Sequence, residues 1–184
     1  MIAEVYTPRL LILYGIIILF AVRLINFLII KKNNKYFNFK REFTLDIFIF
    51  YLICLLSITL LPITIYYTNQ PFKIIPTFNL IPIKGLFNLT SINLFIMNTL
   101  GNLILFVPFV IFINILNQKK ISLLKNLIIV LMFSLSIELF QYLEMYFQVA
   151  IRMVDINDII LNVLGGGIGY YIYIFHYLRK FHYL

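Results

Sequence analysis

Residues 10–30 read LLILYGIIILFAVRLINFLII, and Arg23 is the single charged residue in this stretch. A helix that rises 1.5 Å per residue needs about 20 apolar residues to cross roughly 30 Å of bilayer hydrocarbon. The stretch therefore predicts a membrane-spanning helix. No basic segment precedes it and no small-x-small motif follows it, so we expect an anchor that persists and not a cleaved signal peptide.

The rest of the chain has the same character, with 62% hydrophobic and 12% charged residues over 184 positions. A soluble fold of this length cannot bury so much apolar surface. We expect an all-α polytopic membrane bundle, a single integral membrane domain over residues 1–184 with no separate soluble domain. The apolar runs predict about five transmembrane helices, at 9–30, 44–67, 94–116, 122–145 and 156–178.

Several residues predict local features of these spans. Thr44 is followed by Leu45 and Asp46, a pattern typical of a helix N-cap with an acid in the first turn. Gly101 and Pro108 are expected to bend the third span, and Pro62 to distort the far end of the second.

The basic residues define the expected orientation. Ten of them lie in the loops after spans one and three and in the C-terminal tail: Lys31, Lys32, Lys35, Lys40, Arg41, Lys119, Lys120, Lys125, Arg179 and Lys180. The opposite segments hold four: Arg9, Lys73, Lys84 and Arg152. The positive-inside rule then places the N-terminus outside and the C-terminus in the cytoplasm. Within span one, Arg23 is expected to snorkel or to pair with an acid. The net charge of +8 fits attraction to anionic lipid, and no nucleic-acid partner is expected.

This orientation places eight polar or charged residues, which lie in or beside the spans, at the outer side of one membrane. They are Asn98, Asn102, Glu138, Gln141, Arg152, Asp155, Asp158 and Asn162. Helical spacing groups them into stripes. One stripe holds Asn98 and Asn102, a second holds Ser134, Glu138 and Gln141, and a third runs from Asp155 and Asp158 to Asn162. Polar and charged residues are costly inside a bilayer and usually serve a function there. The pattern therefore predicts a binding site.

Glu138 is the most informative member of this set, because an acid near the middle of a span costs about 2.5 to 3.5 kcal/mol. We expect it to face the bundle, either protonated or with a partner among Arg152, Asn98, Asn102 and Asn162. A packing role is the alternative for the amides and glycines, and Gly165 with Gly169 fits a small-xxx-small helix contact. For the four charged residues, whose burial is most costly, function is favoured over a plain electrostatic staple.

Other chemistries find less support. Cys54 is the single cysteine, and His176 and His182 lie near the cytoplasmic end without a ligand at metal-binding spacing. Two carboxylates, Asp155 and Asp158, are too few to predict a divalent cation site. We therefore expect neither metal nor cofactor. The run Gly165–Gly167 lacks the residues of a P-loop, and no Ser, His and acid combination presents itself on the outer side.

Four sequence elements resemble the VanZ-like family in order and spacing, over about residues 50–175. They are NLIP at 79–82, NTLGNLILFVP at 98–108, SLSIELFQ at 134–141, and Arg152-x-x-Asp155-x-x-Asp158-x-x-x-Asn162 with Gly166. Ile83 stands where the family usually has an aromatic residue, and Phe109 where a glycine often follows the proline. The resemblance implies a multipass protein of the bacterial cytoplasmic membrane, associated with resistance to the lipoglycopeptide teicoplanin through a lower amount of antibiotic bound at the cell surface.

Three functions remain open at this stage. The leading hypothesis is a cell-envelope protein that engages an amphiphile at the outer leaflet, either a lipoglycopeptide or a lipid-linked cell-wall precursor. Arg152 would then pair with an anionic group, and the acids would accept from hydroxyl or amine donors. The second is an integral-membrane enzyme acting on a lipid-linked glycan or phosphate, with Glu138 or Asp155 as the catalytic base and Arg152 stabilising negative charge. A transporter comes third, since no inverted repeat is visible.

Overall fold

The fold is described by a computed structural model that covers residues 2–32, 38–67, 73–83, 92–117 and 121–182. Over these ranges the chain forms four short strands and six helices. The strands are β1 (Ile2–Tyr6), β2 (Ile63–Tyr67), β3 (Thr77–Asn79) and β4 (Met153–Asp155). The helices are α1 (Pro8–Lys32), α2 (Phe39–Leu60), α3 (Ile92–Leu105), α4 (Val107–Leu116), α5 (Leu123–Tyr146) and α6 (Ile156–His182).

The helices provide five segments that are long and apolar enough to cross a membrane. These segments are Pro8–Ile29, Phe39–Leu60, Asn98–Leu116, Leu123–Tyr146 and Ile156–His176. The predicted class, a helical membrane bundle with five spans, is confirmed.

The second span differs from its predicted bounds at both ends. Its N-cap is Asn38, whose side chain accepts from the Arg41 N–H, and not Thr44. Thr44 lies inside the helix, where its hydroxyl donates to the Lys40 carbonyl. The helix ends at Leu60, because a residue that precedes proline, here Leu61, avoids helical backbone angles. Pro62 therefore terminates the span instead of distorting it, and residues 63–67 form β2.

The third span is divided into two helices at Phe106. The break falls between the two positions that predicted a bend, Gly101 and Pro108. Pro108 has no N–H to donate to the carbonyl of Ile104, so the helical ladder is interrupted there. The Tyr51 hydroxyl of α2 donates to the carbonyl of Leu105 at the end of α3. The break is thus held against a neighbouring helix.

The strands form two small sheets that gather the loops at one end of the bundle. β1 pairs with β2 in antiparallel register, and β3 pairs with β4 in parallel register. The backbone N–H of Thr64 donates to the carbonyl of Val149 at 2.7 Å. Gln148 holds the backbone of Ile74 through a donated and an accepted hydrogen bond. The N-terminal segment and the segments 61–67, 73–83 and 147–155 therefore share one end of the molecule. The sequence did not predict these strands.

α1 packs on α2, at the side of the bundle. A Cβ added at Gly15 would lie 2.7 Å from Ile53 Cγ2, which shows how closely the two helices approach. Arg23 forms ion pairs with Glu42, at 2.6 Å, and with Asp46. Arg23 was expected either to snorkel or to pair with an acid, and the structure shows the pairing.

The buried core joins α2, α4 and α5, and Val163 and Tyr170 of α6 pack against it. Its members are Leu55, Phe106, Phe109, Val110, Val130 and Ile137. Against this core, α3 and α4 approach α6 backbone to backbone. A Cβ at Gly165 would lie 2.0 Å from the Leu103 carbonyl oxygen, and one at Gly169 2.5 Å from that of Val107. These two glycines serve packing, as the spacing of small residues predicted. Their close contact places the start of α6 beside α3.

Candidate functional site

The contact between α3 and α6 brings two predicted site residues together. The side-chain amide of Asn102 donates a hydrogen bond to Oδ1 of Asp158. Asn102 lies on the face of α3 that approaches α6, and Asp158 lies in the first turn of α6. An acid in a first helical turn is favoured by the positive end of the helix dipole.

Asp155 is the N-cap of α6 and also the last residue of β4. Its Oδ1 accepts from the backbone N–H of Asn157 at 2.8 Å, which satisfies one of the free donors at the helix start. The same oxygen accepts from the Asn79 side chain at 2.9 Å. Asn79 pairs with Asp155 in the β3–β4 sheet, so the small sheet itself sets this contact. Asn79 belongs to the NLIP element and was not among the predicted site residues.

Glu138 approaches the same place from α5. Its side chain is buried, with 5% of its surface exposed, and its Oε2 accepts from the backbone N–H of Asp155 at 3.1 Å. Its hydrogen-bond donor is thus a backbone amide, and three of the side-chain partners that we expected, Arg152, Asn102 and Asn162, have other partners. We call Glu138, Asp155 and Asp158 the acidic seam, since they line the junction of α5, α6 and the β3–β4 sheet.

Arg152 is paired with an acid outside this seam. Its Nε lies 3.5 Å from Oε2 of Glu144, and the side chains of Arg152 and Glu144 are 22% and 10% exposed. Arg152, one of the four candidate partners of Glu138, therefore pairs with a different acid. Glu144 was missed, although it is a second acid in the α5 span and its position alone warranted attention. Within the ranges that the structure covers, no Lys or Arg forms an ion pair with the acidic seam.

One turn deeper, Asn162 and Ser134 form the floor of the seam. Asn162 follows Asp158 by four residues on α6, and Ser134 precedes Glu138 by four on α5, so both face the same junction. The Asn162 amide donates to the Ser134 hydroxyl at 2.8 Å. Asn162 is 3% exposed, and its Oδ1 has no hydrogen-bond partner among the described residues.

Two predicted site residues stay outside this group. The Gln141 side chain donates to the carbonyl of Thr59 at 2.9 Å and so closes the last turn of α2 against α5. Asn98 is exposed on α3 and joins none of the hydrogen bonds of the acidic seam. The structure thus brings together Asn102, Glu138, Asp155, Asp158 and Asn162, with Arg152 beside them in its own ion pair.

Two further buried polar contacts were not predicted. Asn157 is 2% exposed, and its Oδ1 accepts from the backbone N–H of Ile83 at 2.7 Å, which fixes the loop after β3 to the start of α6. At the opposite end of the bundle, the Asn114 amide donates to Oδ1 of Asn126 at 2.8 Å. Their sequence signal is an amide within or beside an apolar span, the same signal that identified Asn102.

An apolar cleft of about 550 Å³ runs along α3 on the side facing α2. It is lined by Tyr51, Ile96, Leu100, Gly101, Ile104, Leu105 and Pro108. Gly101 leaves it open, because a Cβ at this position would meet no atom within 4 Å. One helix therefore presents Asn102 to the acidic seam and Gly101, next to it in sequence, to an apolar cleft.

The acidic seam is rich in acceptors. Carboxylate oxygens accept hydrogen bonds and attract cations, so the seam suits a ligand group that carries N–H or O–H donors. Among the described residues, no group of three or more His, Cys, Asp or Glu side chains is arranged to hold a metal ion. Such chemistry favours the recognition of hydroxyl or amine groups.

Fold and site together define a polytopic membrane protein with a polar site at one end of its bundle. Residues 48–178 match the family model VanZ/LLP1, and the chain belongs to this family. It is 36% identical over 74 residues to Protein VanZ from Enterococcus faecium. That alignment covers 40% of this chain and 42% of the length of that protein. No solved structure matches the chain.

Proposed function

We propose that this chain lowers bacterial susceptibility to lipoglycopeptide antibiotics such as teicoplanin. It does so by engaging an amphiphilic or lipid-linked ligand at the outer leaflet of the cytoplasmic membrane. Membership of the VanZ/LLP1 family supports the resistance phenotype. The acidic seam supports the binding of a ligand. Its three carboxylates lie at one end of a membrane bundle and have no basic partner among the described residues.

The outer location follows from loop charge. The acidic seam lies at the end of the bundle that holds the N-terminal strand and the β3–β4 sheet. At the opposite end lie the described residues Lys32, Lys40, Arg41, Lys125 and Arg179, which belong to the ten basic residues of the predicted cytoplasmic segments. Because basic loops remain in the cytoplasm, the seam faces outward, with the N-terminus outside and the C-terminus inside.

An amphiphile suits the two surfaces that α3 presents. A donor-rich head group would bind at the acidic seam, where Asn102 and Asp158 meet. A hydrocarbon chain would lie in the cleft beside Gly101, whose volume falls within the usual range of ligand pockets. Asn98, exposed on α3, would contact the ligand between the two.

The enzymatic alternative receives less support. Its mechanism needs Arg152 to stabilise negative charge on the substrate, and Arg152 is 22% exposed and paired with Glu144. The same pairing engages Nε of Arg152, while its Nη2 has no hydrogen-bond partner among the described residues. We assign the selection of the ligand chiefly to the three carboxylates of the seam.

The proposal is tested by expressing the chain in a susceptible host and measuring the inhibitory concentration of teicoplanin. Glu138→Gln keeps an acceptor for the Asp155 N–H but removes the charge, and we expect it to lose most of the protection. Asp46→Asn is the matched control, because it removes an acid whose partner Arg23 keeps Glu42. Membrane abundance is measured for each variant. Equal inhibition with and without the native chain would refute the proposal.

A further inference from the structure

We infer that the acidic seam receives a primary ammonium group, so that the amphiphile engaged at the outer leaflet carries a protonated amine in its head. The inference deepens the proposed function and rests on it for the amphiphile. The recognition of an ammonium rests on the seam itself.

The acidic seam concentrates negative charge. Asp155 and Asp158 are separated by three positions at the start of α6, and Glu138 reaches the backbone of Asp155 from α5. Their hydrogen bonds come from two side-chain amides and two backbone N–H groups, all of them neutral donors. Charged carboxylates taken out of water are stabilised most by a nearby cation. Among the described residues no Lys or Arg provides one, so a cationic ligand group is complementary to the seam.

The floor of the seam, formed by Asn162 and Ser134, offers a further acceptor that does not depend on the acids. Asn162 is almost fully buried, and its amide N–H is fixed by the Ser134 hydroxyl. Its Oδ1 is a buried acceptor without a partner among the described residues. A buried acceptor left unsatisfied costs roughly 1–3 kcal/mol. Asn162 lies one turn below Asp158 on the same face of α6, so this oxygen extends the acceptor surface of the seam inward.

The seam suits an ammonium better than a metal ion. A metal ion needs its ligands converged at about 2 to 2.6 Å, and the described acids form no such group. An ammonium is larger, and its three N–H donors reach separate acceptors about 2.7 to 2.9 Å away. We assign oxygens of Glu138 and Asp158 and the unpartnered Asn162 Oδ1 as the acceptors of these three donors.

The test compares lipids that differ in the head group alone. Purified protein is loaded with phosphatidylethanolamine or phosphatidylcholine of identical chains, and retention is followed by native mass spectrometry. Both heads carry one positive charge, but the quaternary nitrogen of phosphatidylcholine has no N–H. We expect phosphatidylethanolamine to be retained at least about tenfold better, as befits charged hydrogen bonds. A second arm titrates lipid-free protein with free ethanolamine and with choline, to cover a water-borne amine.

Asp158→Asn is the informative variant, because Asn102 can still donate to the new amide oxygen. It should abolish the preference for the primary amine, and Glu138→Gln should do the same. The control Asp46→Asn should keep it. The inference would be overturned if the native protein retained both lipids equally and also bound ethanolamine and choline equally. An unchanged preference in Asp158→Asn would overturn it as well. A preference that holds while resistance does not depend on the chain would refute the proposed function and leave the ammonium site in place.

Discussion

The side-chain amide of Asn102 on α3 donates to the carboxylate of Asp158 on α6, and this contact joins the broken third span to the acidic seam. It exists because Gly165 lets the two helices approach until a Cβ would lie 2.0 Å from the Leu103 carbonyl oxygen. Small residues at a helix interface thus position polar residues one to two turns away. The site depends on this packing.

The two ends of the bundle should differ in their access to solvent. In a background without Cys54, Ile75→Cys places an exposed thiol at the end that holds the seam. Lys40→Cys places one at the basic end. A membrane-impermeant maleimide added to intact cells should label Ile75→Cys and spare Lys40→Cys, since basic loops stay inside. The reverse labelling would show that the seam faces the cytoplasm.

Glycines in α6 should respond to substitution according to their surroundings. Gly165→Ala forces a Cβ against backbone, so we expect it to lower stability by at least about 1–3 kcal/mol or to prevent assembly. Gly167→Ala is the matched control, because its Cβ would meet Leu127 Cδ2 at an ordinary 3.8 Å. Thermal unfolding in detergent, followed by circular dichroism, measures both. Similar melting of the two variants would contradict the packing described for α3 and α6.

The ion pair of Arg152 and Glu144 should stabilise the loop that leads into α6. Removing one partner leaves a largely buried charge alone, so Arg152→Leu should cost on the order of 2 kcal/mol. The double variant Arg152→Leu with Glu144→Gln should recover part of that loss. A double-mutant cycle of unfolding free energies gives the coupling. Additive effects of the two substitutions would show that the pair contributes nothing.

Gly101→Leu should fill the apolar cleft without harming the fold, because no atom lies within 4 Å of the added Cβ. Leucine also favours a helix over glycine by roughly 0.5–1 kcal/mol, so stability should be unchanged or higher. If the cleft holds a hydrocarbon chain, the variant should raise teicoplanin susceptibility at unchanged membrane abundance. Full resistance in Gly101→Leu would show that the cleft does not hold the hydrocarbon chain of the ligand.

Apolar length and periodicity predicted the class of fold, and the orientation derived from loop charge stays a prediction. Apolar length alone locates five spans, since the bilayer sets a fixed thickness. The same reasoning misplaced the end of α2, because residues 63–67 are uncharged and extend the apolar run, and their strand partner lies at the N-terminus. Pairing between distant segments leaves no trace in local periodicity. The break at Phe106 was foreseen only as a bend.

The site was predicted in its members more than in its contacts. Helical spacing placed Glu138, Asp158 and Asn162 on facing stripes, and the structure has them so. It did not predict that Glu138 would accept from a backbone amide, because that donor is positioned by the β3–β4 sheet. Arg152 was one of four candidate partners for Glu138, and the loop geometry brings it to Glu144 instead. The free-energy cost of burying a polar group indicates which residues need partners. The tertiary structure determines which partner each residue has.

The central claim is that the acidic seam holds an amphiphilic ligand, and the molecules that copurify with the protein test it most directly. Native mass spectrometry of the wild-type protein, extracted gently from its membrane, should show a bound amphiphile. The double variant Glu138→Gln with Asp158→Asn should lose it, while Asp46→Asn should keep it. The same bound species in equal amounts in all three proteins, or none in the wild type, would contradict the claim.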